Sequence, residues 1–308
     1  MTLLEDASFP LGLLQAHDHA LIDRYVIGDA LRDIAAIAPE LWPVVPAGME
    51  ADADKFPALL PLAALGDDAR QALFALLEHA HDAQAALPIV CLFKSSASVK
   101  QLRWHWMQQM VVQTAQRQKF QLRSYVPSVF VQLQRFYTPA QLKALFGDIS
   151  VWSIYHDQRW HSLDAPDGLP TQSHLIGESQ LEQLLRVQAI NRTLAELNVQ
   201  QDDDQMDGSV RPHYRGAHPA GYFAISNTID ELIVRAQTHG LAREDDQVQF
   251  ALHGLSQHPH FDTHPSIRKL LSEMDSEEQT YLDATALLQP DDWQRIQTDL
   301  QSTAPNKA

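Results

Sequence analysis

The sequence lacks the features that mark secreted and membrane-spanning proteins. Its 308 residues include one cysteine, Cys91, so no internal disulfide can form, and this predicts a reducing, cytoplasmic environment. No apolar run approaches the roughly eighteen residues that a membrane-spanning helix needs. Glu5 and Asp6 stand where a secretory signal peptide would carry basic residues, so we expect no export by that route.

Sequence signatures of catalysis are also missing. The chain contains no GxGxxG, GxxxxGK[S/T], GxSxG or HExxH motif. Cys91 lies inside the apolar run IVCLF, which predicts a buried, inert thiol rather than a nucleophile. The absence of these motifs removes the usual sequence evidence for an enzyme and gives no reason to expect a cofactor.

Negative charge is missing from one long segment of an otherwise acidic protein. The formal net charge is −16, made up of −9 over residues 1–80, +6 over residues 81–160 and −13 over residues 161–308. No carboxylate occurs from Ala83 to Gly147. We call this stretch the basic segment, and its cations are Lys94, Lys100, Arg103, Arg117, Lys119, Arg123, Arg135 and Lys143.

The basic segment has three interpretations. Its cations could pair with the acidic C-terminal part of the chain, or they could form a docking face for an acidic protein, where charge complementarity sets orientation and association rate. Aromatic residues between the cations, such as Trp104 and Phe120, would suit nucleic-acid stacking. Both flanking segments would repel phosphates, however, so we expect no nucleic-acid partner.

Residues 1–160 alternate between strand and helix patterns, which predicts a mixed α/β lobe. Ser98 is expected to cap the helix SVKQLRWHWMQQMVVQTAQ, and Thr138 a short helix that ends at Gly147. In the first of these helices, Trp104 and Trp106 point to different faces, so we expect one indole to pack in the core and Trp104 to be exposed. The strands are predicted at HALID, LPIVCLFKSS and ISVWSIYHD.

The second half of the chain is predicted to be helical. Residues 161–174 are polar and rich in proline and glycine, which is typical of a linker. Residues 175–300 follow as an all-helical lobe, so the fold class is α+β. Within this lobe, residues 200–221 predict a long polar loop, and Ser226 or Asn227 is expected to cap a helix that ends at Gly240.

The segment HPHFDTH is the strongest candidate for a metal site. It holds His258, His260, Asp262 and His264 at alternate positions. Imidazole and carboxylate groups in this pattern can chelate a divalent metal if the segment is extended, which gives the alternative of a metal-dependent hydrolase. The spacing matches no named zinc pattern, and a solvated loop anchored in the helical core by Phe261 is the simpler interpretation.

Three stretches carry a resemblance to a known family. They are HALIDRYVIGDAL, LPIVCLFKSSASVKQLRWHWMQQM and FQLRSYVPSVFVQLQRFYTPAQLKALFGDISVW. In order and spacing they resemble the effector adaptors, or chaperones, of bacterial type VI secretion, a family built on a domain long labelled as of unknown function. Val126 and Ser128 depart from its pattern, which has Asp and Arg on either side of Pro127, so no role of that Asp or Arg is transferred.

The resemblance implies a cytoplasmic, non-enzymatic adaptor. Such a protein binds a cognate toxic effector and assists its loading onto a spike tip protein of the VgrG type. No nucleic acid and no membrane is expected among its partners. We expect the basic segment to supply the contact residues, namely Lys100, Arg103, Trp104, Arg117, Lys119 and Arg123.

Overall fold

The computed structural model describes most of the chain, and it separates into two compact units. These are Met1–Glu182 and Gln183–Ala308, here called the N-terminal and C-terminal units. The described residues are 2–3, 11–24, 30–38, 40–83, 87–114, 116–156, 159–168, 175–206, 219–274 and 279–303.

The strands all lie in the N-terminal unit. They are β1 (Thr2–Leu3), β2 (His19–Ile22), β3 (Trp42–Pro43), β4 (Ala58–Pro61), β5 (Ile89–Ser95), β6 (Val111–Thr114), β7 (Lys119–Gln121), β8 (Ile149–His156), β9 (Arg159–Asp164) and β10 (Leu175–Ile176).

The helices are distributed over both units. They are α1 (Leu11–Gln15), α2 (Ala30–Ile37), α3 (Asp67–Asp82), α4 (Val99–Gln109), α5 (Pro127–Phe136), α6 (Pro139–Phe146), α7 (Glu178–Met206), α8 (Pro219–Thr238), α9 (Glu244–Ser256), α10 (Pro265–Glu273), α11 (Tyr281–Thr285) and α12 (Pro290–Thr303).

The described strands form two sheets. Seven of them make an antiparallel sheet in the order β1-β9-β8-β5-β2-β4-β3, and three make a small sheet in the order β10-β6-β7. Every residue of β2 is buried, so both faces of the large sheet are covered at its centre. This explains why β2 and β5 are nearly continuous apolar runs rather than alternating ones.

An aromatic cluster fills one face of the large sheet. Phe93 of β5 and Trp152 of β8 meet Trp106 of α4, and the ring centroids of Trp106 and Trp152 lie 5.0 Å apart. Phe130 of α5 stacks on Trp152 at 4.0 Å, and Phe146 of α6 lies 5.4 Å from it. Because these rings are fully buried, they fix which side of α4 faces the core.

The opposite face of the large sheet packs against α2 and α3. Its core contains aliphatic side chains from the strands and from both helices, including Ala20, Ile22, Leu92, Ile34, Leu73 and Leu77. The C-terminal unit has a separate core, in which Phe250 of α9 lies 4.8 Å from Phe261 and 5.7 Å from Tyr281.

The fold class predicted from the sequence is confirmed: a mixed α/β region precedes an all-helical one. Ser98 and Thr138 each form a capping box, with Gln101 and Gln141 respectively. Gly147 ends α6 with a φ of 56°. Local sequence rules are sufficient at these positions because each cap is satisfied by residues within one turn.

Several boundaries differ from the expectation. The predicted helix through residues 111–116 stops at Gln109, since Val111–Thr114 pairs with β7 as strand β6. Helix α7 continues to Met206, into the expected polar loop 200–221, and helix α8 already begins at Pro219. Ser226 is therefore a buried residue inside α8 rather than its cap. Strand β9 occupies the start of the expected linker 161–174.

Candidate functional site

Helix α4 presents one polar face and one core face. The Ser98 side chain accepts a hydrogen bond from the backbone N–H of Gln101, which fixes the first turn. Residues four apart then lie on one side, so Lys100, Trp104 and Gln108 form a row. Trp104 is 63% exposed, although Trp106 two residues later is fully buried. The expectation that the two indoles diverge is confirmed.

An open groove of about 530 Å³ runs along this row. His105 forms one wall, with its Nε2 atom 2.8 Å from the carbonyl oxygen of Leu145. Gln109 donates to the carbonyl of Ala144 at 3.1 Å, so both side chains are held against the end of α6. The lining residues are Lys100, Gln101, Trp104, His105, Gln108, Gln109 and Asp148.

Glycine at position 147 is required for this wall. A Cβ atom there would lie 2.5 Å from the Cε1 atom of His105. The ring of His105 therefore packs directly over the backbone of Gly147, and the end of α6 approaches α4 more closely than any other residue would permit. The sequence predicts only helix termination for this glycine.

The cations of the basic segment are largely without carboxylate partners. Lys94, Lys100, Lys119 and Lys143 form no ion pair within the described part of their unit, and neither do Arg103 and Arg117. Arg103 instead donates from Nε to the carbonyl of Pro43 at 2.6 Å. In the C-terminal unit the pattern is different, with ion pairs between Arg186 and Asp230, Arg192 and Asp245, Arg235 and Asp262, and Arg295 and Asp292.

Five of the six expected contact residues fall into two groups. Lys100, Arg103 and Trp104 lie on the first turns of α4. Arg117 and Lys119 lie on the β6–β7 hairpin, which follows the far end of that helix. With a rise of about 1.5 Å per residue, the helix alone separates Lys100 from the hairpin's base by roughly 14 Å. The two groups are therefore separate patches, each exposed.

Arg123 does not belong to either patch. Its Nη2 atom lies 2.9 Å from Oδ2 of Asp23, whose side chain is only 2% exposed. Its Nε donates to the hydroxyl of Tyr125 at 2.8 Å, and its guanidinium lies 5.4 Å from the centre of that ring. Arg123 therefore joins the end of β2 to the loop before α5, a structural role that the expectation of a contact residue did not include.

Tyr125 and Cys91 complete this buried junction. Burial raises the pKa of Tyr125 to about 12, and the adjacent Arg123 partly offsets that shift. The thiol of Cys91 donates to the carbonyl of Tyr125 at 3.0 Å, and burial raises its pKa strongly. Both groups stay protonated at neutral pH, so the expectation of an inert thiol agrees with the geometry.

Much of the N-terminal unit matches a known protein family. Residues 7–144 match the family described as Domain of unknown function (DUF4123). That family is associated with type VI secretion effector adaptors. The match covers slightly less than half of the chain and includes α4, the β6–β7 hairpin and the Asp23–Arg123 pair. No curated protein and no solved structure matches the chain.

The DUF4123 match ends before β8, so the predicted metal cluster lies outside it. The structure does not bring that cluster together. Asp262 pairs with Arg235 and with His239, and His264 caps α10 while its Nε2 lies 3.2 Å from Asp299. Among the described residues no group of three histidine, cysteine or carboxylate side chains could hold a metal ion. Phe261 is fully buried in the helical core, as expected.

His17 takes part in a buried polar group of the N-terminal unit, although its two partners lie beyond the family match, in β8 and β9. His17 Nε2 lies 2.9 Å from the hydroxyl of Ser153, which in turn lies 2.7 Å from that of Ser162. Ser153 is fully buried in the centre of β8, so no substrate can reach this pair. Desolvation lowers the pKa of His17, which keeps the ring neutral as a structural hydrogen-bonding group. None of the helices in the described part of the chain is long and apolar enough to cross a bilayer.

Proposed function

We propose that this protein is a non-enzymatic, cytoplasmic adaptor of type VI secretion. It binds a cognate effector toxin and assists the loading of that toxin onto a VgrG-type spike protein. The observation that carries the proposal is the DUF4123 match over residues 7–144, which contains the exposed face of α4. We assign effector binding to this face, which we call the α4 surface: Lys100, Trp104 and Gln108.

The chemistry of the α4 surface supports a protein partner. An exposed tryptophan can bury a large apolar area in an interface, and tryptophan is enriched among residues that dominate binding energy. Lys100 lies one turn away and forms no ion pair with any described residue of its unit, so an acidic partner loses little by approaching it. The open groove along α4 lets such a partner contact both the helix and the turn that follows α6.

The test is affinity capture of the tagged protein from lysate of its native cells, followed by mass spectrometry. We expect a spike protein and a large toxin to be retained by the wild-type chain. Trp104→Ala and Lys100→Glu should each reduce the recovery of the toxin. Lys269→Glu is the matched control, because it makes the same charge change at an exposed lysine of α10. Retention of the same toxin by all four proteins would refute the assignment to α4, and recovery of neither partner would refute the adaptor function.

A further inference from the structure

Strand β7 is the exposed edge of the small sheet. Among the described strands, the order β10-β6-β7 leaves β7 with a neighbour on one side only. Its first and last residues, Lys119 and Gln121, are both exposed. The edge of a sheet presents unpaired backbone N–H and C=O groups, which can pair with an additional strand.

The hydrogen-bond pattern shows which backbone groups are free. The N–H of Leu122 donates to Met110 at 2.8 Å, and the N–H of Thr114 donates to Gln118 at 2.9 Å. In an antiparallel pair the hydrogen-bonded residues alternate, so Phe120 also bonds to β6. Lys119 and Gln121 therefore direct their backbone groups away from β6, and these groups form no hydrogen bond in the described part of the chain.

The two faces of the hairpin differ in polarity. Phe120 is half-buried and lies opposite Val112, which is buried. Lys119 and Gln121 point to the other face, toward solvent. A strand added beside β7 would continue this alternation, with an apolar side chain next to Phe120 and a polar one next to Lys119.

The charged side chains of β7 and of the turn before it are all positive. Arg117 in the turn and Lys119 on the strand are exposed, and neither forms an ion pair within the described part of its unit. No carboxylate occurs in residues 111–123. The nearby Glu178 accepts from Gln116, and it follows β10, which lies on the opposite side of β6 from β7.

We propose that β7 binds an extended, acidic segment of a partner protein by strand addition. The segment alternates apolar and acidic residues, so that carboxylates face Lys119 and Arg117 while an apolar side chain covers Phe120. Backbone hydrogen bonds to Lys119 and Gln121 contribute affinity for any added strand. The alternation of apolar and acidic side chains determines which segments bind. This inference goes beyond the proposed function, because it holds whether or not the α4 surface binds a toxin.

A second copy of this chain is a poor occupant of the same edge. Two β7 strands paired antiparallel about Phe120 would place Lys119 opposite Gln121 of the second copy, so none of the four cations would gain a carboxylate partner. Opposite charges across paired strands contribute about 0.2–1 kcal/mol per pair, a gain that an acidic segment provides and a second copy does not. The cations therefore favour an acidic partner over self-association.

The test uses the full-length protein and a synthetic peptide. An acetylated, amidated heptapeptide of sequence TEVEVET is titrated into ¹⁵N-labelled protein and followed by NMR. We expect saturable shifts of the amide signals of Lys119 and Gln121, and hydrogen exchange of these amides slowed by roughly tenfold at saturation. The control peptide TKVKVKT keeps both valines and replaces each glutamate by lysine. It should not bind, because its charges repel Lys119 and Arg117.

A pair of variants separates backbone pairing from simple charge attraction. Gln121→Pro removes an N–H that points away from β6, a position at which an edge strand tolerates proline. It should weaken binding by roughly tenfold, the effect of one lost hydrogen bond. Gln121→Ala keeps the N–H and should bind as the wild type does. Thermal melting establishes that both variants are folded.

A second measurement leaves the protein unaltered. Two versions of TEVEVET carry N-methyl groups on the valine nitrogens or on the glutamate nitrogens. Successive residues direct their N–H groups to opposite edges of a strand, and only one edge of the added strand faces β7. One methylated version should therefore lose binding, and the other should keep it. The proposal is overturned if TEVEVET leaves Lys119 and Gln121 unshifted, if Gln121→Pro binds as tightly as Gln121→Ala, or if both methylated peptides bind like the parent.

Discussion

Among single side chains, Arg123 stabilises the N-terminal unit by neutralising Asp23. The carboxylate is 2% exposed and the guanidinium 38%, so the pair lies between a buried and a surface ion pair. Breaking a fully buried pair costs about 3–5 kcal/mol, whereas a surface pair contributes at most about 1 kcal/mol. The intermediate exposure places Arg123 between these limits.

We predict that Arg123→Ala lowers the free energy of unfolding by about 2 kcal/mol. The reason is that Asp23 would stay buried without its guanidinium. Urea denaturation measures the change, and Lys119→Ala serves as the control. An exposed cation that pairs with no carboxylate among the described residues should alter stability by less than about 0.5 kcal/mol. Equal stability of the two variants would show that the Asp23–Arg123 pair is not structural.

His253 makes the stability of the C-terminal unit depend on pH. The ring is packed among Phe261, Tyr281 and Trp293, and its Nδ1 atom lies 2.9 Å from the hydroxyl of Tyr281. Desolvation lowers the pKa of His253 to about 4. The unfolded chain binds a proton to this histidine below about pH 6.5, whereas the folded chain does not until about pH 4, so acidification favours unfolding.

The expected result is a loss of stability as the pH falls from 6.5 to 4, at up to about 1.4 kcal/mol per pH unit from this histidine. Urea titrations at half-unit steps of pH measure it. His253→Gln should flatten the slope in this window, even if it lowers stability at pH 7. A slope that the substitution leaves unchanged would assign the pH dependence to other groups, such as His17.

At the scale of elements, the junction of α4 and α6 depends on the absence of a side chain at position 147. Gly147→Ala would add a Cβ atom 2.5 Å from His105 and would place alanine at a φ of 56°. Gly48 has a φ of 84° but open space around it, so Gly48→Ala places an alanine at positive φ without the clash.

We expect Gly48→Ala to cost about 1 kcal/mol and Gly147→Ala about 3 kcal/mol, measured by urea denaturation. The Gly147 variant should also shift the NMR signals of the His105 ring, because the ring must leave its position beside the Leu145 carbonyl. Equal costs for the two variants would mean that the close approach of His105 contributes nothing to stability.

Elements stabilised by near neighbours were predictable from the sequence, and those stabilised by distant partners were not. Ser98 and Thr138 signal their helices because each cap closes within three residues. Val111–Thr114 continues an apparent helical pattern, and only its pairing with β7 makes it a strand. Arg123 has no local feature that points to Asp23, which lies 100 residues earlier.

The candidate site was predictable to a similar extent. Helical spacing alone identifies Lys100 and Trp104 as one exposed row, and it also identifies Gln108 one turn further on. Asp148 completes the groove from the turn between α6 and β8, so no spacing rule within α4 could find it. The sequence does not predict the free edge of β7, which is evident only from the order of the described strands.

At the scale of the whole molecule, charge is distributed unevenly along an acidic chain. The basic segment carries eight cations and no carboxylate, although the net charge is −16. An acidic partner is therefore attracted to a limited region and repelled elsewhere, which orients its approach. Screening reduces this effect, since the Debye length falls from about 10 Å at 0.1 M salt to about 3 Å at 1 M.

We predict that the association rate with the captured toxin falls at least roughly tenfold between 0.1 and 1 M sodium chloride. Surface plasmon resonance measures the rate. Lys100→Glu should show a weaker dependence on salt, whereas Lys269→Glu should match the wild type. An association rate that does not respond to salt would contradict electrostatic steering by the basic segment.

The burial of Cys91 makes the native protein almost inert toward thiol reagents. With its sulfur enclosed and its pKa raised, the lone cysteine should react with a maleimide only when the chain unfolds. Any cysteine placed on the surface, for example at Gln121, would then be the single reactive thiol of the folded molecule. A fluorophore attached there would report directly on what approaches the free edge of β7, with no need to remove the native cysteine first.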